Sequence, residues 1–427
     1  MSNELFGTDG IRGPAGTYPL DEDGMVRIGM AAGTYFSEPG GVILVGWDPR
    51  KSSKDLVAYV TKGLVSVGIR THKLGVIPTP GLAYLTRELD AKAGIMITAS
   101  HNPYTDNGVK IFTPDGRKLS DEDQSGLNGL ISSGVPYRGE GDAVEDKEAL
   151  ATYEKFLTDN TDAAGFKGMK IVVDTANGAT SGIAGRVFRA LGAEVTAMAD
   201  KPDGRNINVN CGATDPTALQ AAVIEHGADA GVAFDGDGDR VILVDSKGRQ
   251  LNGDHILYIL AMTGRHEGVI ATIMSNQGLE TALKEKAIAF ERTPVGDRSV
   301  LSALDNTGFR LGGEQSGHII MPDISPTGDG LLAAILTLSA CTKSGKDLSE
   351  WYDGLKLLPQ ALISIHFPDK HLLESKIVQN FLDEESAKLG ERGRLNVRAS
   401  GTEPKVRVMV EASDAQERAE RIADRLE

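Results

Sequence analysis

Cysteine is nearly absent: Cys211 and Cys341 are the two in 427 residues. Two thiols cannot frame a disulfide scaffold, and the pattern reads as reduced thiols in a cytoplasmic protein. Aromatic residues make up only 5%, and no run of them interleaved with basic residues offers a platform for nucleic acid. Positive charge is in deficit, with 45 Lys and Arg against 60 Asp and Glu, a net charge of -15. That balance opposes long-range attraction to a phosphate backbone and argues against a non-specific nucleic-acid binder. Small anionic ligands stay open, because local charge decides their fate. Long apolar runs are missing as well, the stretch around residues 331–338 being far shorter than a membrane span. The first ten residues, M-S-N-E-L-F-G-T-D-G, carry neither a basic region nor an apolar core. No signal peptide is expected.

What is present suits a large globular protein. Hydrophobic residues reach 40%, and the length favours about three or four domains. Glycine is abundant at 51 residues, which points to many tight strand-to-helix loops. Residues 41–46 (G-V-I-L-V-G) read as a buried parallel strand, followed by D-P-R-K-S-S and a helix over residues 54–67 that Ser52 or Ser53 can cap. Residues 69–74 and 93–98 read as further strands. A second unit starts near Lys170 with K-I-V-V-D, then a helix to Ala190, a strand over 193–198, and A-G-V-A-F at 230–234. Residues 268–274 repeat the pattern a third time. The polar stretch 132–146 suits the first boundary, with others near Asp245 and Leu358. The last part differs: strands at 361–367, 394–398 and 406–411, helices at 370–389 and 415–427, and an exposed loop at 399–405. The expectation is three similar mixed-sheet α/β domains (1–146, 147–245 and 246–358) and a smaller α+β domain (359–427).

Four stretches carry chemistry. D-G-D-G-D-R places Asp235, Asp237 and Asp239 at alternate positions ahead of Arg240. Three carboxylates repel one another unless a cation offsets them, and oxygen ligands favour a hard ion such as Mg²⁺. Alone, the stretch also reads as an acidic surface turn. An EF-hand is excluded, since its sixth position holds Arg240 and its twelfth Ser246. An Asp-x-Asp-x-Thr phosphatase lacks its threonine. T-A-S-H-N-P frames Ser100 between Thr98 and Asn102, so the G-x-S-x-G elbow of a hydrolase is absent. Were the two to continue a strand, His101 would point away from Ser100. If Ser100 carries a phosphoryl group, one cation can bridge it to the three carboxylates, with Arg12 and Lys110 adding positive charge. G-G-E-Q-S-G-H offers Glu314, Ser316 and His318, a set able to hold sugar hydroxyls or an amino-sugar ammonium. R-A-S-G-T-E-P-K-V-R offers Arg398, Arg407, Ser400, Gly401 and Thr402 as a phosphate clamp.

Together with T-D-G-I-R-G at 8–13, these motifs run in order along essentially the whole chain, which resembles the α-D-phosphohexomutase superfamily. F-G-T-D-G-I-R-G, N-P-Y-T-D-N-G-V-K-I-F, Gln315, T-G-D-G at 327–330 and R-V-M-V-E at 407–411 are most similar to its bacterial members acting on glucosamine phosphates. Thr98 stands where members often have serine. The resemblance implies four domains around a central active-site cleft and an active form phosphorylated on Ser100. It implies Mg²⁺ held by Asp235, Asp237, Asp239 and the phosphoserine. Glu314 and Ser316 would contact sugar hydroxyls, and Arg398, Ser400, Gly401, Thr402 and Arg407 the phosphate that does not react. Arg12, His101, Lys110 and Arg240 would surround the transferring group, Lys110 being the candidate for proton handling. The implied reaction interconverts glucosamine 6-phosphate and glucosamine 1-phosphate through a 1,6-bisphosphate, feeding UDP-N-acetylglucosamine and cell-wall precursor synthesis. The resemblance allows a homodimer without naming its interface. A mutase for neutral glucose or mannose phosphates, and a non-catalytic phosphosugar-binding protein, stand as the alternatives.

Overall fold

The computed structural model describes residues 5–7, 9–264, 266–367, 370–390, 393–399 and 405–426. Four sheets follow one another along the chain. The first has six strands in the order Ile11–Pro14, Asp106–Phe112, Ala93–Ile97, Val42–Trp47, Arg70–Val76, Asp142–Glu145. Val42–Trp47 is parallel to both Ala93–Ile97 and Arg70–Val76, whereas Asp106–Phe112 runs antiparallel to both its neighbours, Ala93–Ile97 and Ile11–Pro14. The second sheet centres on Lys170–Asp174, parallel to Glu194–Met198 and Ala230–Phe234, with Val241–Asp245 antiparallel beyond. The third centres on Gly268–Thr272, parallel to Ala289–Thr293 and Gly312–Gly313, with Ile319–Ile320 antiparallel at its edge. A parallel centre with an antiparallel margin is thus common to all three. The fourth sheet is wholly antiparallel, Lys405–Glu411 lying between Gln360–His366 and Arg394–Ala399. The expected fold class, three mixed α/β units and a smaller α+β unit, holds.

Burial explains why the central strands read as unbroken apolar runs. Ala93–Ile97 and Ala230–Phe234 are buried at every position, as helices on both faces of a parallel sheet require. Ile43, Val45, Ile95, Ile97, Val109 and Ile111 pack with Met25, Ile28, Val60 and Leu64 in one core. Each such side chain contributes roughly 1.5–3 kcal/mol. That rigidity matters for the site, because Ala93–Ile97 delivers the chain directly to Ser100.

One local expectation is corrected. Ser52 takes the N-cap position of the helix Ser53–Ser66 without any side-chain capping bond. Its hydroxyl instead accepts from Asn107 Nδ2 at 2.9 Å, and Ser53 Oγ donates to Asp48 at 3.1 Å. The polar stretch 132–146 also contains the edge strand Asp142–Glu145, whose four residues are all exposed. With both faces solvated it has no apolar alternation to reveal it.

By contact density the chain divides into two compact units: residues 1–274 with 288–353, and residues 275–287 with 354–427. The helix Gln277–Lys284 therefore belongs with the C-terminal sheet. Within that unit Gln277 N donates to Glu411 Oε2 at 2.8 Å, and Asn276 Nδ2 donates to the Leu358 carbonyl at 3.0 Å. Among the described residues no helix is long and apolar enough to cross a membrane.

Candidate active site

Ser100 follows a fully buried strand and is itself 0% exposed. Its φ of 52° lies in the left-handed region, which non-glycine residues seldom enter and which costs about 1 kcal/mol or more. This turn overturns the strand-based expectation for His101. Once the chain leaves the strand at Ser100, His101 Nδ1 comes within 3.3 Å of Ser100 Oγ. Burial first, then Arg240 and Arg12, hold the His101 imidazole below its usual range.

The D-G-D-G-D-R loop meets the serine. Ser100 Oγ donates to Asp235 Oδ2 at 2.7 Å across 135 positions of sequence. Gly236 makes the approach possible: a Cβ there would lie 2.4 Å from the Ser100 carbonyl oxygen. One carboxylate oxygen from each of Asp235, Asp237 and Asp239 lies within 4.8 Å of the others, and all three residues are buried. Burial and the two neighbouring carboxylates push the Asp235 carboxyl well up. Asp237 Oδ2 accepts from Thr79 Oγ1 at 2.6 Å and Lys110 Nζ at 2.8 Å, while its Oδ1 accepts no hydrogen bond from the described residues. Buried hard oxygens converging beside a hydroxyl, with Asp237 Oδ1 and Asp239 Oδ1 unpartnered by hydrogen bonds among the described residues, fit a divalent cation.

Lys110 is tied to carboxylates on three sides: Asp237 at 2.8 Å, Asp239 at 3.0 Å and Asp9 at 3.1 Å. Against the cost of burial these hold its ammonium well above the ordinary range. Asp239, also buried, is held low by Lys110, His318 and Arg240. His318 lies 3.8 Å from Asp239 and 3.5 Å from Asp297, and these carboxylates outweigh burial to raise its imidazole.

A cavity of about 910 Å³ opens beside this cluster. Its lining brings together Arg12, His101, Asp239, Arg240, Glu314 and His318. Glu314 Oε1 accepts from Gly296 N at 3.1 Å, which fixes the carboxylate on the wall. Ser316 is exposed on the same turn and is not among the lining residues. The size suits a small polar ligand.

Arg398 and Arg407 lie in the C-terminal unit as cross-strand partners. Partial burial and the facing Arg407 hold the Arg398 guanidinium below its usual range. Like charges directly opposite are unfavourable unless an anion joins them. Ser400, Gly401 and Thr402 lie outside the described residues.

Several residues at the site were not singled out from the sequence. Thr79 fixes Asp237. Arg50 and Asn208 both donate to the Ser100 carbonyl, at 2.8 and 2.9 Å. Lys118 pairs with Asp9 and, at 2.5 Å, with Asp297. Asp9 sits inside the T-D-G-I-R-G motif, so a signal was available for it. Arg50 and Asn208 lie in polar loops that carried none.

Comparison with known proteins identifies the family. The chain matches all four parts of the phosphoglucomutase/phosphomannomutase description: alpha/beta/alpha domain I over residues 3–137, domain II over 151–248, domain III over 252–357, and the C-terminal domain over 362–427. The phosphoglucosamine mutase of Thermus thermophilus is 48% identical over 425 residues, covering 99% of this chain and 97% of that protein. The phosphoglucosamine mutase of Deinococcus radiodurans is 44% identical, covering 96% and 94%. Among solved structures, a phosphoglucomutase/phosphomannomutase family protein from Burkholderia thailandensis is similar with a TM-score of 0.82 and 25% identity, over 99% and 96% of the two chains. Aspergillus fumigatus N-acetylphosphoglucosamine mutase, solved in complex with GlcNAc-6P and magnesium, shares the fold with a TM-score of 0.70 at 18% identity, over 99% and 94%. The chain belongs to the phosphoglucomutase/phosphomannomutase family, and within it to the phosphoglucosamine mutase family.

Proposed function

We propose that this protein interconverts glucosamine 6-phosphate and glucosamine 1-phosphate, with Ser100 as the phosphoryl carrier. The observation that carries the reading is the buried Ser100 hydroxyl 2.7 Å from Asp235, within a loop of three converging carboxylates. A hydroxyl so placed has no use in a simple surface turn. It suits phosphoryl transfer, where positioning and charge neutralisation do most of the catalytic work.

Phospho-Ser100 would give its phosphoryl group to the free hydroxyl of the sugar phosphate: the serine O–P bond breaks, a sugar O–P bond forms, and the proton lost by the sugar hydroxyl is balanced by the one the departing Ser100 Oγ takes up. The resulting 1,6-bisphosphate would turn about within the cleft and return its other phosphate to Ser100, which regenerates the phosphoserine. Asp235, Asp237 and Asp239 would hold Mg²⁺, which would supply neutralising charge at the phosphoryl oxygens. Arg12, His101 and Arg240 would add donors to the transferring group. Lys110, held in its charged form, would serve the reaction as a proton donor and electrostatic partner. Glu314 and His318, both on the cavity wall, would take sugar hydroxyls or the ammonium, and Ser316, outside the lining on the turn between them, would add its hydroxyl. The facing Arg398 and Arg407 would receive the phosphate that does not react, with Ser400, Gly401 and Thr402 completing the clamp.

The test compares kcat/KM for glucosamine 6-phosphate, glucose 1-phosphate and mannose 1-phosphate, with Mg²⁺ and the matching bisphosphate, in the wild type and Ser100→Ala. Preference for the amino sugar, lost in the variant, is the expected result. Preference for a neutral sugar would reassign the substrate while leaving the carrier in place. Full turnover by Ser100→Ala would remove the carrier role altogether.

A further inference from the structure

We infer that Arg50 is a positioning residue for the phosphoryl-carrying loop, acting through the backbone of Ser100. This rests on the reading of Ser100 as carrier. Arg50 is 2% exposed, an unusual place for a guanidinium, and its partners explain it. Nε donates to Asp48 Oδ2 at 2.8 Å, forming an ion pair with no exposed side-chain surface. Nη2 donates to the carbonyls of Ser100 at 2.8 Å and Asn102 at 2.9 Å, and Nη1 to those of Pro103 and Asp106. One planar fork thus collects four carbonyls from the loop that carries the serine.

The connections close into a ring. Ser100 N–H donates to Thr98 Oγ1 at 3.0 Å, and Thr98 Oγ1 donates to Asp48 Oδ2 at 2.6 Å. Asp48 accepts from Arg50, and Arg50 returns to the Ser100 carbonyl. Both backbone groups of Ser100 are therefore fixed by one buried pair, which holds the residue at its left-handed φ of 52°. From the second sheet's loops, Asn208 Nδ2 donates to the same two carbonyls, at 2.9 Å to Ser100 and 3.3 Å to Asn102. Ser100 Oγ is then presented to Asp235 from a backbone held at both its N–H and its carbonyl. Lysine cannot reproduce this, having three donors on a point charge where the loop requires a five-donor fork.

Arg50→Lys preserves charge and removes the fork. Asn208→Gly removes the second donor while keeping a backbone that tolerates the φ of 60° at that position. Both are assayed below their melting temperatures, with kcat, KM and Tm recorded alongside Ser100→Ala. Misplacement of about 1 Å at a reacting atom costs roughly 100-fold. Arg50→Lys is expected to lower kcat at least about 100-fold with KM within about twofold, and Asn208→Gly to lower kcat about tenfold in the same sense. A loss of stability alone would lower Tm while leaving kcat per folded enzyme, with the folded fraction measured at the assay temperature, unchanged. If Arg50→Lys does not fold, Asn208→Gly decides. Turnover within about threefold of wild type in both variants, or in Asn208→Gly alone in that event, with Ser100→Ala inactive, would overturn this inference and leave the carrier standing. An active Ser100→Ala would overturn the carrier reading and this inference with it.

Discussion

Asp237 shows how much of the site depends on single oxygens. Its Oδ2 is used twice, by Thr79 and Lys110, while Oδ1 is left without a hydrogen bond from the described residues. Asp237→Asn keeps the size and removes a charge from the cluster. The expected outcome is divalent-ion affinity weakened at least about tenfold, read by titration calorimetry, with kcat falling in parallel. Chelation of the wild type should abolish turnover and added Mg²⁺ restore it; activity surviving exhaustive chelation would exclude the carboxylates as a metal site. At this scale the sequence was informative wherever chemistry is contiguous. Three alternating aspartates announce their mutual repulsion wherever they fold. Thr79, Arg50 and Asn208 announce nothing, because their partners stand 158, 50 and 108 positions away.

The helix Gly253–Thr263 links an element to the site, since Gly253 N donates to the Gln315 carbonyl at 3.0 Å within G-E-Q-S-G-H. His255 in its first turn has Nδ1 2.9 Å from the Asn252 cap oxygen and stacks on Tyr352. Burial first, and Arg249 second, push its imidazole down from 6.5 to about 4. The unfolded chain therefore takes up this proton first as pH falls below 6.5. Stability is full above that value and is lost as pH falls toward 4, by about 3 kcal/mol across the window. Chemical denaturation of wild type and His255→Asn at pH 7 and pH 4.5 checks this. The variant should lose less stability on acidification, and equal losses would remove His255 as the cause. Strands and helices of this kind were legible as apolar runs and caps. The exposed edge strand Asp142–Glu145 was not, because its partner strand, and no pattern of its own, makes it a strand.

For the whole molecule, the division into two units cuts across chain order. The helix Gln277–Lys284 interrupts the third sheet in sequence yet bonds to Glu411, which is 0% exposed and also accepts from Arg394 Nη2 at 2.9 Å and Gln360 Nε2 at 3.1 Å. Glu411→Ala should raise hydrogen exchange in residues 275–287 together with the strands 360–366 and 394–399, leaving residues 268–272 protected. Uniform exchange across 268–287 would instead make the helix part of the third sheet's cooperative unit.

The sequence by itself determined the mixed α/β class, the order of the motifs and the carboxylate loop that meets Ser100. Those follow from local periodicity and from residue types whose chemistry needs no neighbour to declare it. Only the tertiary structure decided that Ser100 turns left-handed, that His101 faces it, that Lys110 sits among three carboxylates, and that Arg50 closes a ring around the serine backbone. Apart from the local turn at Ser100 and His101, these are contacts between stretches distant in sequence. No one-dimensional pattern encodes which loop ends will meet.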